Sequence, residues 1–350
     1  MNISYRTRRR LQKLGAAVLV LVLAVTLAWL CWVVWLERYV VYTREGAEVD
    51  FSLEKLSAGA LASPPSQESS VEIYYNEGSN TMDTSQELTQ FRGYFIDRDT
   101  LASDLDYCRE KLGTLETGTA IMVDVKNIDG TFNYPSGLSD SSTYGSVDAA
   151  AVKSFISDLN AGKFYTIARL PAFRDYLYGL NHTSAGLSHS GWGVGYLWKD
   201  EGGCYWLDPT NPEAMNWLIA VILEVKGMGF NEIVLDEFRI PDTDKIIFNK
   251  DKNQALLTAM ETILERCAGD GFIISFTVTD PSFALPEGRT RLYLKGVSAE
   301  QVGAKAAQVT ITDPANRLVF VADTNDTRYD VYSVLRPISS SDVLEDMNLQ

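Results

Sequence analysis

Histidine is nearly missing from this sequence: His182 and His189 are the only two in 350 residues. That leaves little material for a histidine-rich metal centre or a Ser-His-Asp relay. Neither histidine has a partner at metal-ligand spacing, so both read as polar loop residues. Cysteine is scarce as well. Of the four, Cys31 falls in a long apolar run, leaving Cys108, Cys204 and Cys267, with no Cys-x-x-Cys. Three thiols give no disulfide framework, and Cys108 and Cys267 sit on apolar helix faces as small buried hydrophobes. An excess of positive charge is also absent. Lys and Arg total 31 against 46 Asp and Glu, a net charge of -15, which argues against a nucleic-acid partner. No GxGxxG turn follows the first strand, and neither a P-loop nor an EF-hand loop occurs. No cofactor or metal is therefore expected.

What the sequence does have is one uninterrupted apolar stretch. Residues 14–36, LGAAVLVLVLAVTLAWLCWVVWL, carry no charge. As a helix they extend about 34 Å, enough for a hydrocarbon core of ~30 Å. Arg6, Arg8, Arg9, Arg10 and Lys13 precede it, and Trp29, Trp32 and Trp35 cluster near its far end. Basic residues stay in the cytoplasm and indoles favour the interface. The expectation is a cytoplasmic tail (1–13), a transmembrane helix (14–36) and everything later on the extracytoplasmic side of the cell membrane. The alternative, a cleaved signal peptide, has a shorter apolar region ending in small residues.

Residues 37–56 hold a weak alternation around Glu45-Gly46, read as a short hairpin. Residues 57–90 are rich in Ser, Ala, Gly, Pro and Glu and read as a flexible linker. From 91 to 350 the texture changes to apolar strand, loop and amphipathic helix in repetition. Strands are predicted at Gly93–Ile96, Ala120–Val125, Phe164–Ala168, Glu232–Leu235 and Phe272–Val278, with helical apolar faces between them. Asn211, Pro212 and Gly229 carry start and stop signals for one such helix. This alternation builds parallel sheets, and the segment's length suits an α/β barrel of TIM type, (β/α)8. An open doubly wound sheet is the runner-up. After Thr290 the rhythm degrades. Leu292–Leu294, Val309–Thr312, Leu318–Ala322 and Tyr332–Leu335 all read as strands, with gaps too short for full helical crossovers, so a degenerate last quarter is expected.

Predicted strands repeatedly end in an acid: Asp97, Asp124, Asp236, Asp280, Asp313 and Asp323. In a β/α barrel those ends face the active site, and glycoside hydrolysis needs one protonated and one ionised carboxyl group. The competing reading is that each aspartate caps a helix or closes an Asx turn. Asp236 stands apart, because Glu237 and Arg239 follow at once and Pro241 prevents a helix from starting there. The loop from Arg169 to Asp208 carries Trp192, Tyr196, Trp198, Tyr205 and Trp206 among glycines. These aromatics suit either stacking on sugar faces or packing the loop onto the barrel.

Four segments in order resemble a family of domains classed as glycoside hydrolases and related to the α-amylase-type barrels. They are AIMVDVKNIDG (Ala120–Gly130), FYTIARLPAFRD (Phe164–Asp175), YWLDPTNP (Tyr205–Pro212) and GFNEIVLDEFRIP (Gly229–Pro241). The resemblance implies that Asp236 is the strand-four nucleophile. It places Asp124, Lys126, Arg169 and Asp208 in the same pocket, with Arg169 orienting Asp236 and keeping it ionised. Trp206 and Arg239 join them as candidate sugar contacts. The chain departs from the family at Glu237, where a Tyr is common, and on strand five, where Ser275-Phe276-Thr277 brings no acid. Glu237 and Asp280 are the candidates for general acid. The expected function is a membrane-anchored glycoside hydrolase acting on an extracellular or cell-envelope polysaccharide. The alternative is a non-catalytic glycan-binding barrel.

Overall fold

The computed structural model describes residues 26, 29, 40–43, 46–49, 88–269, 271–280, 282–286 and 289–338. The chain divides into two units, Met1–Asn76 and Glu77–Gln350. In the first unit Val40–Thr43 pairs antiparallel with Gly46–Val49, as the alternation there suggests. The expected transmembrane helix lies outside the described residues except for Thr26 and Trp29, both helical. Among the described residues no helix is long and apolar enough to cross a membrane.

The second unit is a closed eight-stranded barrel. Its strands are β1 (Arg92–Ile96), β2 (Ala120–Asp124), β3 (Tyr165–Pro171), β4 (Glu232–Asp236), β5 (Ile273–Thr277), β6 (Leu292–Lys295), β7 (Leu318–Val321) and β8 (Ser333–Pro337). They lie in sequence order around the barrel. Every pair is parallel, including β8 with β1 (Val334 opposite Arg92), and that closure rules out the open sheet. Side chains alternate across a strand, so each strand feeds two cores. Ala120, Met122, Ile167, Val234, Tyr293, Val319 and Leu335 pack together as one cluster inside the barrel. Ile121, Val123, Ala168, Ile233, Leu235, Ile274 and Phe276 face outward and pack with the helices.

The helices follow from caps and apolar stripes. Asp97 opens α1 (Arg98–Ser103), accepting from Thr100 N, and α2 spans Leu105–Thr114. Asp148 caps α3 (Ala149–Asn160), and Asp175 caps α4 (Tyr176–Asn181). Asn211 caps α5 (Pro212–Gly227) with Pro212 in its first turn, and Gly229 follows at φ 90°, where glycine carries no Cβ penalty. Asp251 caps α6 (Lys252–Cys267), which buries the expected stripe from Ala255 to Cys267. Cys108 and Cys267 are buried free thiols.

Three expectations need correction. Strand β3 runs on to Pro171, so Arg169 belongs to a strand and not to the loop after it. Pro171 has no N–H to donate and ends the strand, and Ala172 N makes the next bond, to the Asp236 carbonyl. Val309–Thr312 forms no strand: Asp313 turns the chain at φ 52° and Pro314 starts the one-turn α8 (Pro314–Arg317). Leu88 is buried and Gln90 donates to the carbonyls of Asp330 and Tyr332, so 88–90 lie against the barrel instead of in the linker. The rest of the linker is outside the described residues. The last quarter is reduced in its helices but complete in its strands. Two short helices, α7 (Val302–Ala306) and α8, and short 3-10 turns connect β6, β7 and β8.

At the N-terminal end of the barrel Glu232 is fully buried. It accepts from Ser275 Oγ, Tyr293 OH, Tyr165 OH and Arg291 Nη1. The cluster satisfies each buried polar atom and closes that end of the barrel. The C-terminal mouth stays open.

Candidate active site at the barrel mouth

Alternation along β4 explains the site. Glu232 points to the sealed end, Val234 fills the interior, and Asp236 emerges inward at the mouth. The same phase brings Asp124 inward after Met122, and Arg169 after Ile167. Asp97, Asp124, Arg169 and Asp236 line one pocket of about 240 Å³. Three carboxylates thus meet around one guanidinium, each from a different strand end.

Their pairings are specific. Arg169 grips Asp124 through Nε (2.5 Å) and Nη2 (2.7 Å). This fork geometry is among the stronger polar contacts a protein makes. Asp236 Oδ2 takes Lys295 Nζ at 2.6 Å, and its Oδ1 accepts the Glu237 N–H at 2.8 Å. Glu237 holds φ at 49°, a left-handed conformation uncommon for a residue with a Cβ. Burial raises the Asp124 carboxyl above its ordinary value. Arg169 opposes that shift, while the charges of Asp236 and Asp97 add to it. The Arg169 guanidinium is held charged, the three carboxylates outweighing its own burial.

The other expected site residues separate into groups. Lys126 lines the mouth, but its ammonium is committed to Asp175 at 2.6 Å in a buried ion pair. Asp208 accepts from Thr210 N and Oγ1, closing an Asx turn ahead of α5. Asp280 does the same with Ser282 on the surface beyond β5. Neither lines the mouth. Glu237 turns to Arg239 Nε (3.0 Å) and toward Arg174 Nη1 (3.6 Å). Trp206 is buried and donates Nε1 to Asp200, and Arg239 lies over its ring at 4.6 Å. Trp206 and Arg239 therefore belong to a second, larger cleft beside the mouth.

Arg169 was expected to hold Asp236, yet its hydrogen bonds go to Asp124, and Lys295 takes Asp236 instead. Lys295 was not singled out from the sequence. The available signal was alternation in Leu-Tyr-Leu-Lys, which puts Tyr293 and Lys295 on the same inward face. Asp97 was visible as a strand-ending acid, and it both caps α1 and reaches the mouth. Among the described residues no group of three or more His, Cys, Asp or Glu is placed to hold a metal ion.

Residues 110–269 match a family described as "Putative glycosyl hydrolase domain". The matched segment contains Asp124, Arg169 and Asp236. No curated protein matches the chain. Among solved structures, a hypothetical protein from Ruminiclostridium thermocellum is 22% identical with a TM-score of 0.45, covering 52% of this chain and 96% of its own. The PgaB (BpsB) glycoside hydrolase domain from Bordetella bronchiseptica is 11% identical with a TM-score of 0.48, covering 74% of this chain and 90% of its own. An α-galactosidase from Thermus thermophilus is 12% identical with a TM-score of 0.41, covering 55% of this chain and only 38% of its own. The closed barrel defines a (β/α)8-type fold, and its segment 110–269 is similar to a glycosyl hydrolase domain. The enzyme class this supports is a glycoside hydrolase.

Proposed function

We propose that this protein cleaves O-glycosidic bonds with Asp236 and Asp124 as the working carboxyl groups. The observation that carries the reading is the meeting of Asp97, Asp124 and Asp236 around Arg169 at the mouth of a closed barrel. Glycosidases need two carboxyl groups whose environments differ. Asp124 is the proton donor in this reading: burial raises its carboxyl and the charges of Asp236 and Asp97 add to that, against the opposing pull of Arg169. It gives its proton to the leaving glycosidic oxygen. Asp236, held by Lys295 and the Glu237 N–H, attacks the anomeric carbon. Water then cleaves the glycosyl ester, returning its proton to Asp124. In this reading Asp236 occupies the place of the strand-four nucleophile of the α-amylase-type barrels.

The charge-free run 14–36 with its basic flank supports a single-pass anchor, N-terminus in the cytoplasm and barrel outside. The substrate is then an extracellular or cell-envelope polysaccharide. A second reading, a glycan-binding barrel without turnover, draws on the close ion pairs that already occupy Asp236 and Asp124.

The test is release of reducing ends from a panel of envelope and storage glycans by the full chain in detergent, with Asp236→Asn alongside. Release that disappears in the variant supports the hydrolase. Release that persists removes Asp236 from its role, and release by neither form favours the binding barrel. Fractionation of cells, with protease added to intact ones, tests the anchor and its orientation.

A further inference from the structure

The cleft beside the mouth has a volume of about 900 Å³, against about 240 Å³ for the mouth itself. Two strand ends and the loops that follow them supply both. The end of β3 gives Arg169 and Pro171 to the mouth, and the chain after it gives Arg174 to the cleft. The end of β4 gives Asp236 to the mouth, and the chain after it gives Arg239 and Pro241 to the cleft. The cleft wall is pre-organised. Arg174 is tied to Asp200 at 2.7 Å, and Arg239 is fixed between Glu237 and the Trp206 ring. Asp200 also accepts from Trp206 Nε1 and Cys204 N. A guanidinium has five N–H donors, and these pairings leave some for a ligand's hydroxyls.

One aromatic in this cleft is free in a way the others are not. Trp206 is buried beneath Arg239 and Trp198 is buried, while Tyr205 is stacked on Tyr176 at 5.4 Å with Lys199 above it. Trp192 is 68% exposed, although an indole gains by covering its faces. Stacking on His189 at 4.5 Å and 13° supports it from one side. It sits in Ser190-Gly191-Trp192-Gly193-Val194-Gly195-Tyr196, where Gly193 and Gly195 take φ of 90° and 95°. An exposed indole steadied from behind and rimmed by fixed guanidinium donors fits a pyranose ring: apolar C–H groups on the flat face, hydroxyls at the edge.

We infer that this cleft is a glycan-chain subsite in which Trp192 stacks on a sugar ring remote from the bond at Asp236. The ligand class is therefore an oligosaccharide segment, and the protein acts on chains instead of single glycosides. The inference rests on the hydrolase reading only for the word "acts"; the binding itself does not require turnover.

The experiment is a titration of the full chain and of Asp236→Asn with cellohexaose, chitohexaose and hexagalacturonate and their disaccharides. Tryptophan fluorescence and calorimetry are the readouts. At least one hexasaccharide binds, its disaccharide binds more weakly, and Trp192→Ala weakens the hexasaccharide roughly tenfold. Trp192→Phe restores most of that loss. Binding of none of the three hexasaccharides, or equal binding by Trp192→Ala, overturns the subsite. Binding without hydrolysis keeps the cleft and removes the hydrolase reading. Hydrolysis with no dependence on Trp192 does the reverse.

Discussion

Lys295 at the end of β6 meets Asp236 at the end of β4 across the barrel mouth, Nζ to Oδ2 at 2.6 Å. One oxygen of the carboxylate is thus fixed by an ammonium and the other by a backbone N–H. If Asp236 is the attacking group, its aim depends on Lys295. Replacing Lys295 with Met should lower kcat by roughly ten- to a hundredfold, since a misplaced reacting group costs that much. Lys295→Arg should recover part of it. Lys295 is 43% exposed, so circular dichroism and the melting midpoint should hardly change. Unchanged kcat in Lys295→Met would remove the residue from the reaction.

If Asp124 is the proton donor, it sets the alkaline side of the pH profile. Its folded pKa is raised by burial first, with Asp236 and Asp97 adding to the shift against Arg169. The protonated form, the one that assists the leaving oxygen, is lost as pH rises through that raised value. Activity should therefore fall on the alkaline side. Asp124→Asn should lose about 10²- to 10⁴-fold on unactivated glycosides, the usual worth of a general acid. Nitrophenyl glycosides, whose leaving group needs little protonation, should lose far less. An equal loss on both substrates would count against proton donation.

These two residues also show what the sequence made legible. Asp124 and Asp236 end strands whose alternation is plain, and their segments resemble a known family. Lys295 forms its contact with a residue 59 positions away, and only barrel closure brings the two together. Arg169 was given the wrong partner for the same reason: neighbouring strand ends offer two carboxylates, and only the register decides between them. Val309–Thr312 has strand-like residues, but Asp313 and Pro314 impose a turn that local apolarity cannot outweigh. The alternation in β1 placed Gly93 in a strand without showing why it is glycine.

Gly93 faces Ala120 of β2 in the parallel register. A Cβ at position 93 would lie 1.8 Å from the Ala120 carbonyl oxygen, which is backbone and cannot swing away. Gly93→Ala should therefore cost about 3 kcal/mol or more, the upper range for overpacking. Urea unfolding should show it as a lower midpoint or as insoluble protein. A loss under about 1 kcal/mol would mean that the two strands separate more easily than this register implies.

His182 clamps the turn at Asp140 to the first turn of α5: Nδ1 meets Glu213 at 2.9 Å and Nε2 meets Asp140 at 3.1 Å. Its own burial would lower its pKa, but the hydrogen bonds and charges of Asp140 and Glu213 carry it above the ordinary value. A folded pKa above the unfolded one gives stability that is full below the unfolded pKa and lost as pH rises through the folded one. The carboxylates run the other way. Their folded values are lowered, chiefly by His182 for Asp140 and by Ser184 for Glu213. Their share is present above their unfolded values and lost as pH falls through the folded ones. The clamp is therefore strongest between the ordinary carboxylate and histidine ranges. The melting midpoint should decline slightly as pH rises past about 6.5, and His182→Gln should flatten that slope. The effect is small because both carboxylates are more than a third exposed.

At the sealed end of the barrel, the Glu232–Arg291 pair separates stability from chemistry. Arg291 Nη1 meets Glu232 Oε2 at 2.5 Å, and both side chains are almost wholly excluded from solvent. Breaking such a pair strands a buried charge and costs about 3–5 kcal/mol. Glu232→Gln retains the shape and the acceptor for Tyr293 and Ser275 but leaves the Arg291 charge uncompensated. The unfolding midpoint should drop by an amount in that range. Glu232 and Asp236 occupy opposite ends of the same strand, so the fraction that remains folded should keep its kcat. A fall in kcat matching that of Asp236→Asn would mean that the two ends of β4 are coupled through the barrel interior, through Val234 and Tyr293.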